Sequence, residues 1–236
     1  MDRVLRTLAD YFIDRSIRNV HKNHKIYLPL ATQKLKWPHK LSKENLYEIA
    51  RQSSQINARI EEDSTVLDIG SHSGFYGLNI ARQMPNAMVI GIEPDKNMAK
   101  IALRVAELEN ILNFTNFSQG ISPQNIGSLP RVKVVLNLSV FHQWVRSFGL
   151  LEAKYMLIQI WERTERTMFF SMADTLGSPK NLQHLPDMGN SRESCKAWIL
   201  ENVLNLEGAR VSLIDEIGTS YESMHSRFLF VINRLP

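Results

Sequence analysis

Two carboxylates and a set of glycines have the types and spacing of a ligand site. The run Val66-Leu67-Asp68-Ile69 ends on Gly70, and Ser71, His72, Ser73 and Gly74 follow before Phe75, Tyr76 and Gly77. A second apolar run, Met88 to Ile92, closes on Glu93, 23 residues after Gly70. An apolar strand entering a glycine-bearing turn and a helix, with an acid ending the next strand, is how α/β proteins hold adenosine-containing ligands. A ribose diol offers two hydroxyl donors, and a carboxylate at Glu93 can accept both. The separation is close to the ~20 residues of one βαβ step. The alternative is a plain parallel-sheet turn with a solvated acid at a strand end.

Glycine spacing decides the cofactor class. A dinucleotide fingerprint G-x-G-x-x-G would need glycine where His72 and Phe75 stand, and neither lets a backbone approach a pyrophosphate closely. The phrase LDIGSHSG instead resembles the first motif of class I S-adenosylmethionine-dependent methyltransferases, D/E-x-G-x-G-x-G, with His72 replacing the middle glycine. The resemblance implies that Gly70, Ser71, His72 and Gly74 carry the methionine part of the cofactor. It likewise implies that Glu93 bonds the ribose hydroxyls and that Asp68 supports the cofactor amine directly or through water. Gln119 follows the third strand, where the family commonly has an acid for the adenine amino group, and Asn137 near the end of the fourth strand is grouped with the cofactor residues. Tyr76 either lines the methyl-donor pocket or packs as an ordinary first-turn helix residue.

A second signature follows the fourth strand. The stretch Val134-Val-Leu-Asn-Leu-Ser-Val-Phe-His-Gln-Trp144 passes from an apolar strand into a polar aromatic turn and resembles the LSVFHH phrase of small-molecule and glycan methyltransferases, with Gln143 in place of the second histidine. The likeness extends to the methyltransferase part of O-antigen chain-terminating kinase/methyltransferases; no kinase-like region is present in these 236 residues. At the carboxyl end of a strand, His142 should reach the cleft that open α/β sheets use for ligands. An imidazole there can take a proton from a hydroxyl or amine, or orient it; the alternative is a core or turn histidine. Trp144 reads as a pocket wall or core residue. His184 lies in a 177–191 insertion and either faces the acceptor or is a solvent-exposed loop histidine.

These readings imply an enzyme, S-adenosylmethionine as methyl donor with S-adenosylhomocysteine as product, and transfer to an oxygen, less favourably a nitrogen, of a small-molecule or glycan-like acceptor. Three alternatives stand beside it: an RNA methyltransferase using a basic amino-terminal segment, a cofactor-binding partner subunit without activity, and a protein whose residues 1–20 lie on an anionic membrane as an interfacial helix. The Asn/Asp/Ser-Pro-Pro-aromatic signature of amino methyltransferases acting on nucleic-acid bases or protein glutamine is absent, which disfavours that reading and leaves an RNA 2′-O or other RNA methylase open. Asp174 ends the fifth strand without the adjacent Asp-Asn pair of metal-dependent catechol-type enzymes, so no metal is expected.

Composition is compatible with one α/β core. Apolar residues form 44% of the chain, enough for a core in a chain of this length. A lone cysteine, Cys195, excludes an intrachain disulfide and a cysteine-based zinc site. No apolar run approaches the ~20 residues of a membrane span, and the amino terminus is charged rather than signal-like; a cytoplasmic protein is expected. The net charge of +4 is uneven. Residues 1–43 hold ten Lys/Arg against three Asp/Glu, with His21, His24, His39, Tyr27 and Trp37 among them, which suits a phosphate-bearing substrate, RNA or an anionic surface. A solvated amino-terminal helix is the alternative.

The positioning elements follow from hydrophobic period. Residues 1–60 read as a mainly helical accessory segment, with Asn45 to Ile60 as a helix, and 61–236 as the cofactor-binding domain. Strands are expected near 65–70, 87–92, 112–117, 132–138 and 166–172, with helices near 75–83, 95–109 and 150–164. Another helix is expected over Arg192 to Asn205. Val211 to Ile217 and Arg227 to Asn233 should close the sheet as an antiparallel hairpin. The predicted fold is a Rossmann-like, mostly parallel seven-stranded sheet with helices on both faces.

Overall fold

A computed structural model of the chain describes residues 29–32, 43–173, 197, 201, 209–218 and 226–235. The elements run α1 (Lys43–Asn57), β1 (Thr65–Ile69), α2 (Phe75–Gln83), β2 (Met88–Glu93), α3 (Lys96–Glu109), β3 (Phe114–Ser118), a 3-10 turn (Ile126–Ser128), β4 (Val132–Leu138), α4 (Phe141–Phe148), α5 (Leu150–Arg163), β5 (Thr164–Ala173), β6 (Ala209–Gly218) and β7 (Ser226–Arg234). The expected helix over Arg192 to Asn205 lies outside the described residues except for 197 and 201, both helical. The basic amino-terminal stretch, the 177–191 insertion, Asp174 and His184 also lie outside them.

One sheet holds the seven strands in the order β3-β2-β1-β4-β5-β7-β6. β1 to β5 pair in parallel, and β7 runs antiparallel to both β5 and β6, so the carboxy-terminal hairpin closes the sheet as expected. The order reverses between β1 and β4, the switch point at which open α/β sheets bind ligands outside their carboxyl ends.

Side-chain alternation divides the core between two faces. Val66, Val89, Val134 and Leu136 pack with Leu78 and Ile80 of α2, Ile101 and Val105 of α3 and Ile56 of α1. Leu67, Ile69, Val135, Met168 and Phe170 pack on the other face with Phe141, Trp144 and Val145 of α4 and Met156, Leu157 and Ile160 of α5. Burial on both faces explains why the parallel strands read as continuous apolar runs. Leu30 and Ala31 join the first face, and Arg82 donates to the Ala31 carbonyl while Thr32 donates to Glu109, which ties this part of the amino-terminal segment to α2 and α3.

The structure corrects one local expectation. Val-Phe-His-Gln-Trp is not a turn but the start of α4, whose Phe141, Trp144 and Val145 are buried at helical spacing. The actual turn is shorter, with Ser139 at φ 60°. It is tied to the next strand by Ser139 N–H donating to the Ser171 carbonyl at 2.8 Å.

Close approach of α2 to the sheet is set by Gly77. A Cβ there would lie 2.9 Å from Phe114 Cε2 and 3.2 Å from both Val89 Cγ1 and Asp68 Oδ2. Alanine is the better helix former by about 1 kcal/mol, yet Gly77→Ala is expected to destabilise the protein by about 1–3 kcal/mol because the core is overpacked. Urea unfolding checks this; an unchanged or higher midpoint would mean that α2 shifts outward freely.

Candidate functional site at the carboxyl ends of β1 and β2

The glycine turn is built by backbone hydrogen bonds. Gly70 N–H and Ser71 N–H both donate to the Ile92 carbonyl, at 2.8 and 3.1 Å, and Gly74 N–H donates to the Ser71 carbonyl at 2.8 Å. Gly70 and Gly74 have φ of 67° and 79°, where a side chain is strained. Gly70 has a second constraint: its Cβ would lie 2.6 Å from Val140 Cγ2. The residue before α4 therefore rests on the turn after β1, which joins the two sequence signatures in space. Ser71 is buried, and its hydroxyl accepts from Asn116 Nδ2 of β3 at 3.0 Å, so it anchors the turn.

Glu93 faces this turn. Its Oε2 accepts from His72 N–H at 2.8 Å and its Oε1 from Asp95 N–H at 2.9 Å, and the residue is only 7% exposed. Each oxygen keeps acceptor capacity for a further hydroxyl. Burial raises the Glu93 carboxyl above its ordinary value, against the lowering effect of those two N–H groups. The sequence did not reveal the second donor. Its signal was there: Asp95 also caps α3 by accepting from Asn97 N–H at 2.8 Å and Met98 N–H at 3.3 Å, which fixes the Pro-Asp turn.

Asp68 shares the face of β1 with Val66 and is buried under α2. Its Oδ2 accepts from Gly77 N–H at 3.2 Å. Burial pushes its carboxyl up to about 7, and the nearby Glu93 charge acts in the same direction. His72 holds φ 52° in the left-handed region, and its Nδ1 lies 3.3 Å from Ser73 Oγ. Burial pushes its imidazole down to about 4, so the ring is neutral near pH 7.

The remaining predicted residues fall in different places. Gln119 N–H donates to the Glu93 carbonyl at 3.1 Å, which puts it beside the β2 end, and the residue is exposed. Asn137 pairs in register with Ile69 of β1 and Phe170 of β5. By alternation it shares the face of Val135, under α4, where it is fully buried and neither amide atom has a hydrogen-bond partner. His142 is half-buried in the first turn of α4, two residues after Val140. Tyr76 is a packed helix residue: it meets Phe75 edge-on with ring centroids 5.2 Å apart and donates to Gln52 Oε1 of α1 at 2.5 Å. Trp144 is a core residue, 4% exposed.

No family profile matches the chain, and no curated protein sequence is detectably similar to it. Solved structures do match. A structure of the bifunctional kinase-methyltransferase WbdD superposes with a TM-score of 0.64 at 19% identity, covering 92% of this chain and 45% of that one. The chain has the class I methyltransferase fold. Magnesium protoporphyrin IX methyltransferase ChlM from Synechocystis PCC 6803, solved with bound S-adenosylmethionine, gives a TM-score of 0.57 at 14% identity, covering 84% of this chain and 86% of that one. EvdMO1 gives 0.59 at 17% identity, covering 93% and 46%. This methyltransferase-fold chain thus spans less than half the length of WbdD and of EvdMO1.

The cofactor that this fold implies is S-adenosylmethionine. Glu93 presents two oriented carboxylate oxygens, which suits a ribose diol. Gly70 and Gly74 let the turn pass through positive φ while it packs against Val140, Ala102 and Leu78, and the buried carboxylates favour a cation. The donor set fits S-adenosylmethionine. Among the described residues no helix is long and apolar enough to cross a membrane, and no group of three metal-ligating side chains occurs.

Proposed function

We propose that this chain is an S-adenosylmethionine-dependent methyltransferase acting on an oxygen of a small-molecule or glycan-like acceptor. The observation that carries the reading is Glu93, buried at the end of β2 and held by His72 N–H and Asp95 N–H at 2.8 and 2.9 Å, facing the glycine turn after β1. Pre-orientation by two backbone donors means that little freedom is lost when the carboxylate takes a diol. Gly70, Ser71, His72 and Gly74 hold the methionine part, Asp68 its cationic end, and Gln119 the adenine edge.

The bound cofactor supplies an electrophilic methyl group on a sulfonium, and alignment of the acceptor provides much of the acceleration. His142 is the acceptor-side residue, placed by α4, whose preceding residue Val140 packs on Gly70. Its imidazole takes the proton of a hydroxyl nucleophile or orients it. Asn137, near the end of β4 and in register with Ile69 of β1, is grouped with the cofactor-holding residues; both of its buried amide atoms lack a protein partner, and such atoms are costly unless a ligand or water satisfies them.

Transfer of labelled methyl from S-adenosylmethionine to free sugars, sugar phosphates, oligosaccharides and total RNA tests the assignment. Labelling of a carbohydrate, reduced on the order of 10²-fold in His142→Ala with cofactor affinity unchanged, is expected. Labelling of RNA alone would replace the acceptor class, and cofactor binding with no transfer to any acceptor would favour an inactive partner subunit.

A further inference from the structure

Asp68 pairs in register with Gly91, two residues before Glu93 and so on the same face of the sheet, and both carboxyls are buried. Among the described residues, no cationic side chain contributes to the state of either carboxyl. The groups around Asp68 can be named element by element. From β2 comes Glu93, and from α2 only Gly77 N–H. Its register partners, Gly91 in β2 and Leu136 in β4, carry no charge. The turn contributes His72, a neutral ring, and Asp95 beyond β2 adds a further negative charge that acts on Glu93 and His72. Arg82, farther along α2, lies 4.0 Å from Glu109 and donates to the Ala31 carbonyl.

Two like charges in a water-poor site are costly unless a cation joins them. One carboxyl therefore keeps its proton. Glu93 has one N–H donor on each oxygen, whereas Asp68 has a single longer bond from Gly77, so the proton belongs on Asp68. A ligand cation reverses this balance, because it supplies the missing positive charge.

We infer that Asp68 is the charge-specificity residue of the site: it is protonated in the free protein and releases that proton to solvent when a cationic centre of the cofactor binds. The inference rests on the cofactor reading above. The O–H bond of the carboxylic acid breaks, the proton passes to buffer, and the carboxylate that remains pairs with the cation. That cation is either the sulfonium or the methionine ammonium.

Calorimetric titration in buffers of different ionisation enthalpy counts the protons. Near pH 7 the protein is expected to release about half a proton per S-adenosylmethionine bound, and none with 5′-methylthioadenosine, which lacks both cations. Equal release with S-adenosylhomocysteine identifies the ammonium as the partner, and absence of release identifies the sulfonium. Affinity for S-adenosylmethionine should rise about fivefold between about pH 6 and about pH 7 in wild type and stay flat in Asp68→Asn. The variant retains an oxygen for Gly77 N–H and leaves the ligand's own titration unchanged. Binding without proton release, or release that persists in Asp68→Asn, would overturn the inference and leave the cofactor reading intact. Failure to bind S-adenosylmethionine or S-adenosylhomocysteine at all would overturn both.

Discussion

Glu93→Ala is expected to weaken S-adenosylmethionine binding by about tenfold or more, on the order of 1.4 kcal/mol. The loss has two parts. The ribose diol loses its charged acceptor, and hydrogen bonds to charged groups are each worth about 1.5–3 kcal/mol. His72 N–H and Asp95 N–H also lose their common acceptor, so the turn that carries the methionine part is no longer tied to the β2 end. Glu93→Gln is not a silent control: its single carbonyl oxygen can serve only one of the two N–H groups, and its amide opposes the other. It should bind the cofactor less well than wild type but better than the alanine variant. Calorimetric titration of the three proteins checks the order, and wild-type affinity in Glu93→Ala would sink the site assignment.

Removing the Asp68 charge should make the free protein more stable at neutral and alkaline pH. The folded carboxyl sits near 7 and the unfolded one near 3.8, so between these values the folded chain holds a proton that the unfolded chain has released. Stability conferred by this group is full below the unfolded value and is lost as pH rises through the folded one. The accumulated loss is on the order of 4 kcal/mol by pH 8. His72 acts in the opposite sense: its folded value of about 4 lies below the unfolded 6.5, so its contribution rises with pH across that window. The two effects oppose each other in wild type, and the comparison with Asp68→Asn isolates the first. Urea unfolding from pH 4 to 8 should show the variant gaining on wild type as pH rises, with the gain levelling off above about 7. A difference that does not change with pH would show that Asp68 is ionised in the folded protein throughout. Together with the Glu93 experiment, this separates an acid kept for folding from an acid kept for a ligand, since Asp68→Asn improves the fold while removing the charge that receives the cofactor.

Much of the first signature was legible because it is local. Gly70 and Gly74 stand where a strand must turn into a helix through positive φ, and Glu93 stands where the next apolar run stops. The elements β1, β2, β4 and α3 were equally legible, since each is an apolar or amphipathic run bounded by Gly, Pro, Asn or Asp. The helix α4 was missed although Phe141, Trp144, Val145 and Phe148 recur at helical spacing. It begins two residues after a left-handed Ser139 with no side-chain cap, so no start signal separates it from the strand. The packing of Ser71 and Asn137 was not legible, because it is made over long range: the Ser71 hydroxyl accepts from Asn116, 45 positions away, and Asn137 is buried between β1 and β5.

The sequence by itself determined the succession of strands and helices apart from α4, the glycine turn after β1 and the acid that closes β2, because hydrophobic period, glycine backbone freedom and strand length act over a few residues. Tertiary structure decided the rest. The order β3-β2-β1-β4-β5-β7-β6 brings Val140, the residue before α4, onto Gly70 through pairings between segments distant in the chain. It also decided which carboxyl keeps a proton, since the charge state of Asp68 depends on the water and charges that packing removes or brings near, and neither is written in its neighbours along the chain.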